Sequence, residues 1–215
     1  GPGFDMAYAR KLAGAFQRKF HGLKSQGERL VGQFTEGTVS IRGFALALDR
    51  VCRRATPEAD IFRLFVDLGS GIGNGVLAAH ALFPFRACLG IELVPEYVGV
   101  SRKSAEKYFA RDDFYRSLGK ATNAEDLFVE GDAFIMDWSN ASVVFCNAVT
   151  WPKGLVDKLA VAALRLKRGA VFMLLGNIKS FPATPAVLNG FDIRMDACLV
   201  SWIDTPQALW VYQRV

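Results

Sequence analysis

Two acidic residues, Asp67 and Glu92, each end a short apolar run, and a glycine-rich stretch follows the first of them. That stretch reads Leu64-Phe65-Val66-Asp67-Leu68-Gly69-Ser70-Gly71-Ile72-Gly73-Asn74-Gly75, and apolar residues return at helical spacing from Val76 to Leu82. Such a pattern predicts a buried strand, a tight turn and a helix. Gly69, Gly71 and Gly73 have no Cβ, so the turn can take positive φ and a ligand can lie against bare backbone. The dinucleotide fingerprint would need a glycine at position 74, where Asn74 stands, so a pyrophosphate is not the expected ligand. An acid just ahead of the turn suits a ligand whose ammonium the acid accepts from and whose carboxylate meets backbone N–H groups, as in S-adenosylmethionine. Glu92, 21 residues after Gly71, lies near the spacing of about 20 residues at which an acid holds a ribose diol. Each feature has a plainer reading, a turn made for packing and an ordinary strand-end charge. Their conjunction points to an adenosine-bearing ligand.

Ligands of open parallel sheets sit outside the carboxyl ends of the strands, so the residues after the later strands are candidates too. After the third comes Gly131-Asp132-Ala133-Phe134, where a carboxylate can accept from an adenine amino group and a ring can pack on the base. Asp132 reads equally as a helix cap. The fourth strand runs into Phe145-Cys146-Asn147-Ala148-Val149-Thr150-Trp151-Pro152, which puts Asn147 where a methyl acceptor would lie. Enzymes that methylate the amino group of adenine or glutamine carry Asn or Asp, two prolines and an aromatic there, and this stretch departs from that pattern. No general base is evident. Phe145, Trp151, Trp202 and Trp210 are candidate walls of a dry channel that would disfavour an ammonium, although any one of these aromatics, taken singly, reads more readily as core.

The elements that must position these residues alternate. Strands are expected at Phe62–Asp67, Cys88–Glu92, Asp126–Glu130, Ser142–Asn147 and Ala170–Leu175, with helices at Asn74–Leu82, Pro95–Tyr115, Phe134–Asp137 and Pro152–Arg165. Two final strands, Asp192–Val200 and Ala208–Gln213, follow one another. Alternation implies a mainly parallel α/β sheet covered on both faces, with right-handed crossovers and a closing antiparallel hairpin. This is the seven-strand Rossmann-like arrangement of S-adenosylmethionine-dependent methyltransferases. Residues 61–215 are read as that catalytic domain and residues 1–60 as a small helical extension.

In the extension, Arg10, Lys11, Arg18, Lys19, Lys24 and Arg29 stand against one acid, Glu28, with Leu12, Phe16, Phe20 and Leu23 at helical spacing. The Arg10–Arg29 segment reads as a basic amphipathic helix, either docked with its charges solvated or in contact with phosphates. Gly32 to Ser40 forms a polar loop, a plain connector or a cover for the ligand, and Ser40 can cap a helix with Ile41, Phe44, Leu48 and Val51 on one face. The chain of 215 residues is 51% hydrophobic with 17 Phe, which fits one well-buried domain plus an appendage. No apolar run is long enough to span a membrane and no secretory signal opens the sequence; Gly1-Pro2-Gly3 reads as a cloning remnant. Cys52, Cys88, Cys146 and Cys198 have no metal or paired spacing and there are two His, so no metal is expected and the thiols read as buried in a reducing compartment. A net charge of +5 favours an acidic partner without naming it.

Taken together, Phe65-Val66-Asp67-Leu68-Gly69-Ser70-Gly71-Ile72-Gly73, Gly90-Ile91-Glu92, Ser142-Val143-Val144-Phe145-Cys146-Asn147 and Val200-Ser201-Trp202 resemble the non-SET histone-lysine methyltransferases of the disruptor-of-telomeric-silencing class. The resemblance spans about residues 32 to 215. It implies an enzyme of the nucleus that methylates a lysine in the globular core of nucleosomal histone H-three; the basic helix and the broken amino-methylation motif leave as the alternative an RNA or DNA methyltransferase, or a nucleic-acid-binding module that has lost activity. On that resemblance Glu36, Gly37 and Thr38 match a cofactor-covering loop; Asp67, Gly69, Gly71, Asn74, Glu92 and Asp132 match cofactor contacts, beside which Ser70 and Phe134 are further candidates; and Asn147 matches the residue beside the transferred methyl. Thr35-Glu36-Gly37 stands where the family usually has Tyr-Gly-Glu, Ala148 replaces a second Asn, and Leu209-Trp210 replaces an aromatic pair. The family's basic nucleosome-binding segment is not at this C-terminus, and the Arg10–Arg29 helix is the expected substitute.

Overall fold

The computed structural model describes residues 39–55, 60–110, 123–176, 185–198, 200 and 207–215. Helix α1 (Ile41–Arg54) starts where Ser40 accepts from the Gly43 N–H at 2.9 Å, the expected cap, and buries Ile41, Phe44, Leu48 and Val51. The side chain supplies an acceptor to an amide that the first turn leaves orphaned. There follow β1 (Leu64–Leu68), α2 (Asn74–Leu82), β2 (Ala87–Glu92), α3 (Pro95–Phe109), the short α4 (Ala124–Leu127) and β3 (Phe128–Glu130). The second half comprises β4 (Val143–Asn147), α5 (Lys153–Ala162) with a 3-10 turn at Ala163–Arg165, β5 (Val171–Leu175), α6 (Pro185–Gly190), β6 (Phe191–Cys198) and β7 (Gln207–Arg214).

Two expectations need correction. The third strand begins at Phe128 rather than Asp126 because Asn123 caps a helical turn, its side chain accepting from the Glu125 N–H at 3.1 Å. Phe134–Asp137 is a turn and not a helix. Asp132 makes it so: Oδ1 takes the Phe134 N–H at 2.8 Å, and its carbonyl takes those of Ile135 and Met136. Such local acceptors compete with helix propagation. The end of the expected helix Pro95–Tyr115 lies outside the described residues.

The seven strands form one sheet in the order β3-β2-β1-β4-β5-β7-β6, with β7 antiparallel to both of its neighbours. The chain runs outward from β1 to β3, then returns to place β4 on the other side of β1. A crevice opens at such a reversal, over the carboxyl ends of the strands. Alternation along the strands divides the core in two. Phe65, Phe145, Met173 and Val211 pack with Phe44, Leu48 and Leu77 on one face. Val66, Val144, Phe172 and Tyr212 pack with Leu159 and Val187 on the other. Burial on both faces explains the unbroken apolar runs of the central strands. Helix α1, though it lies within residues 1–60, contributes Phe44, Leu48 and Val51 to the same core as the sheet.

Candidate active site

A cavity of about 780 Å³ lies over the ends of β1, β2, β3 and β4, at the reversal in strand order. It gathers Asp67, Gly69, Ser70, Gly71 and Asn74 from the first strand and its turn, with Glu92 from the second. Asp132 and Phe134 come from the third, and Phe145, Asn147 and Trp151 from the fourth. These residues, scattered over 85 positions of sequence, meet because four parallel strands end at one edge.

Gly69, Gly71 and Gly73 all adopt positive φ, at 70°, 53° and 88°. Gly75 is needed for a different reason: a Cβ there would run into Asp67 Oδ2. The turn is tied down by its own amides. Gly69 and Ser70 N–H donate to the Ile91 carbonyl at 2.8 and 3.2 Å, Gly73 N–H to Ser70 O at 2.9 Å, and Gly71 N–H to Glu92 Oε2 at 2.8 Å. Those amides therefore serve the fold. The groups left for a ligand are the first-turn amides of α2, whose N-cap Gly73 provides no side-chain acceptor, and two buried polar atoms at the cavity, Ser70 Oγ and Asn74 Oδ1, that no group of the described fold satisfies.

Asp67 is 4% exposed and faces Gly90 on β2 and Phe145 on β4. Burial pushes its carboxyl up to about 8, and the nearby charge of Glu92 adds to the rise. A carboxylate so poorly solvated gains strongly from a cation brought alongside it. Glu92, 8% exposed, accepts from Gly71 N–H and, through Oε1, from Val94 N–H at 2.9 Å. Each oxygen keeps a further lone pair for a ligand hydroxyl. Asp132 builds a turn rather than capping a helix, and it lines the cavity, where Phe134 stands 6.2 Å from the Trp151 ring.

On the acceptor side, Asn147 ends β4 beside Phe145, and Trp151 follows in a turn whose N–H donates to Ala148 O at 3.1 Å. Trp151 packs so closely over Gly69 that a Cβ there would lie 3.2 Å from its ring. Trp210 does not join them. It sits in β7 between Leu209 and Val211, which face the first core layer, so its own side chain packs against the second. Glu36, Gly37, Thr38, Trp202 and the Arg10–Arg29 segment lie outside the described residues. Leu93, Tyr97, Leu155 and Val39 also line the cavity. Leu93, 65% exposed, follows Glu92 directly and was legible from the strand-end rule. Val39, from the loop read as a connector or a cover for the ligand, is placed there by a bridge to Val200; Tyr97 and Leu155 enter from the first turns of helices, and no local signal marks those two.

Residues 57–186 match the model of the family described as Histone methylation protein DOT1. The chain belongs to that family. No curated protein matches the chain. Among solved structures, precorrin-6y C5,15-methyltransferase from Geobacter metallireducens is similar over 80% of this chain and 87% of that one, at 16% identity and a TM-score of 0.54. Magnesium protoporphyrin IX methyltransferase from Synechocystis, which carries bound SAH, covers 80% and 84% at 16% identity and a TM-score of 0.53. TrmN from Thermus thermophilus is 20% identical over 80% of this chain, which spans 48% of that protein, with a TM-score of 0.51. At these identities the likeness is one of fold. With its family membership, it makes this chain an S-adenosylmethionine-dependent methyltransferase. The site fits that cofactor. An ionisable acid and the acceptor Asn74 Oδ1 suit an ammonium, helix amides and the Ser70 hydroxyl can donate to a carboxylate, and an acid and an aromatic stand further along the cavity.

Proposed function

We propose that this DOT1-family methyltransferase acts on a lysine side chain in the globular core of nucleosomal histone H-three, and so works on chromatin in the nucleus. The composition of the cavity wall carries the reading. It holds three carboxylates (Asp67, Glu92 and Asp132), the Asn147 amide and aromatic rings, with no Lys, Arg or His among its described lining residues. A wall of acids, an amide and rings with no basic side chain suits an amine acceptor and offers nothing to hold the phosphates that a nucleic-acid acceptor would bring. A nucleic-acid methyltransferase would be expected to hold those phosphates with basic side chains at the mouth.

Bound S-adenosylmethionine supplies a methyl group on a positively charged sulfur. Asp67 and the first-turn amides of α2 would hold its amino-acid end, Glu92 the ribose hydroxyls, and Asp132 with Phe134 the base. Phe145 and Trp151 keep water from the acceptor nitrogen. Lysine has a reference pKa near 10.4, so deprotonating it at neutral pH costs about 4 to 5 kcal/mol, part of which an apolar wall offsets by disfavouring the ammonium. The proton leaves to water before transfer, so no side chain has to act as base. Asn147 then orients the neutral nitrogen, and alignment supplies most of the rate. Glu36, Gly37 and Thr38 would cover the cofactor, and Trp202 would complete the channel. The basic Arg10–Arg29 segment, in the extension ahead of helix α1, would meet nucleosomal DNA.

Tritiated S-adenosylmethionine offered with nucleosomes, free histones and RNA tests the substrate. Label on histone H-three in nucleosomes is the expected outcome. Label on RNA with none on histone overturns it.

A further inference from the structure

The central glycine of the turn is held from both sides. Gly71 N–H donates to Glu92 Oε2 at 2.8 Å, and Gly71 O accepts from Ser101 Oγ at 2.9 Å. Ser101 stands in α3, 30 residues further along the chain and with no exposed surface. Its hydroxyl oxygen lies equally 2.9 Å from the Tyr97 carbonyl, four residues earlier in the same helix. A hydroxyl has one proton to give, and the Tyr97 carbonyl already lies in the helix's own amide ladder. The acceptor that depends on Ser101 is therefore Gly71. On the other side, Glu92 is not a loose partner, since its second oxygen is fastened to Val94 N–H at 2.9 Å.

We propose that Ser101 is a positioning residue for methyl transfer: with Glu92 it clamps the Gly71 peptide, so that the turn has its binding shape before the cofactor arrives. The proposal rests on the methyl-donor reading of the cavity. Gly71 needs the clamp because a glycine at φ 53° has several other backbone basins open to it. A Cβ at Gly71 would meet nothing within 4 Å, so side-chain packing at that position does not choose among them. Two hydrogen bonds choose instead, one to the N–H and one to the C=O of the same residue. Ordering the turn in advance removes a cost that binding would otherwise carry. It acts on cofactor affinity and leaves the chemistry at the methyl group alone. The same hydroxyl also packs beside Gly73, where a Cβ would approach it to 3.1 Å, so Ser101 touches two of the three turn glycines.

The test is Ser101→Ala in the full chain, with cofactor affinity from calorimetry and steady-state kinetics on the methylated substrate. Losing a hydrogen bond of this kind is expected to raise the Kd and KM for S-adenosylmethionine about five- to tenfold, with a smaller change in kcat at saturating cofactor. Because Ser101 and Glu92 hold one peptide, Glu92→Gln combined with Ser101→Ala should cost less than the product of the two single losses. A Ser101→Ala protein that binds the cofactor as wild type does overturns the inference, as do single losses that multiply independently. Should Ser101→Ala fail to fold, Ser101→Cys decides, since a thiol occupies nearly the same space and donates weakly. Weaker cofactor binding by the folded Ser101→Cys protein supports the clamp, and unchanged binding overturns it. Wild-type protein that takes up no S-adenosylmethionine at all would instead overturn the methyl-donor reading.

Discussion

The two ends of the sheet's strands carry charged side chains that are used differently. At the amino edge stand Arg63, Arg86, Lys167, Arg168 and Arg214. Several of them finish the backbone: Arg63 donates to the Asn140 carbonyl, and Arg214 to those of Leu164, Gly190 and Val215. Ser142 likewise closes on Leu64, accepting its N–H at 2.8 Å and donating to its carbonyl at 3.0 Å. At the carboxyl edge stand Asp67, Glu92 and Asp132, and here the fold leaves work undone. Asp67 is buried beside a second acid with no cation among the residues lining the cavity, and Asn74 Oδ1 and Ser70 Oγ lack partners. Polar groups that a fold satisfies hold it together. Those that it buries without satisfying mark where something else is meant to bind.

The largest effect that could break this comparison is Gly71→Arg. Its Cβ meets no neighbour, so the substitution costs backbone strain of about 1 to 2 kcal/mol at positive φ while sending a cationic side chain into the acid-lined cavity. Cofactor binding should vanish in calorimetry with circular dichroism preserved. Retained binding would reduce the turn to packing.

Asp67 gives the next effect. It has to ionise to pair with a cation, and its carboxyl sits up at about 8, so wild-type affinity for the cofactor should climb from pH 6 toward pH 8, by up to about tenfold per unit. Asp67→Asn should bind about 10- to 100-fold more weakly at pH 8, the loss of a charge-assisted hydrogen bond, and with a flat profile. Stability of the free protein should run the other way. The folded carboxyl holds its proton far above the ordinary value of 3.8, so this group's contribution is fully present below about pH 4 and is lost as pH rises toward 8, by up to about 1.4 kcal/mol per unit. Urea unfolding at pH 5, 6 and 7 reads that slope, and Asp67→Asn should remove it.

The smallest effect belongs to the other edge. Lys167→Glu with Arg168→Glu should leave cofactor affinity within about twofold, since both side chains are exposed and stand a full strand length from the cavity, beyond the range at which physiological salt lets surface charges speak. A larger loss would mean that the two edges are not electrically separate.

How much of this could be read from the chain alone depends on whether the cause was local. Strand, turn and helix around Asp67 are legible because glycine spacing and apolar runs act over a few residues, and α2 runs from Asn74 to Leu82 as the pattern implied. The Ser40 cap is legible for the same reason. The turn after Asp132 was misread as a helix because the competition between side-chain and backbone acceptors depends on the conformation reached. Trp210 was misplaced because a strand's alternation says which residues share a face but not which face looks toward the site.

The sequence by itself determined the alternation of elements, the positive-φ turn and the strand-end acids, since each follows from propensity or periodicity within a short window. Tertiary structure alone decided that Asp67 is buried next to Glu92 and that Ser101 reaches Gly71 from another helix. It alone left Asn74 Oδ1 at the cavity without a partner. Burial and hydrogen-bond satisfaction belong to pairs of groups distant in sequence, and they come into being only when elements separated along the chain pack against one another.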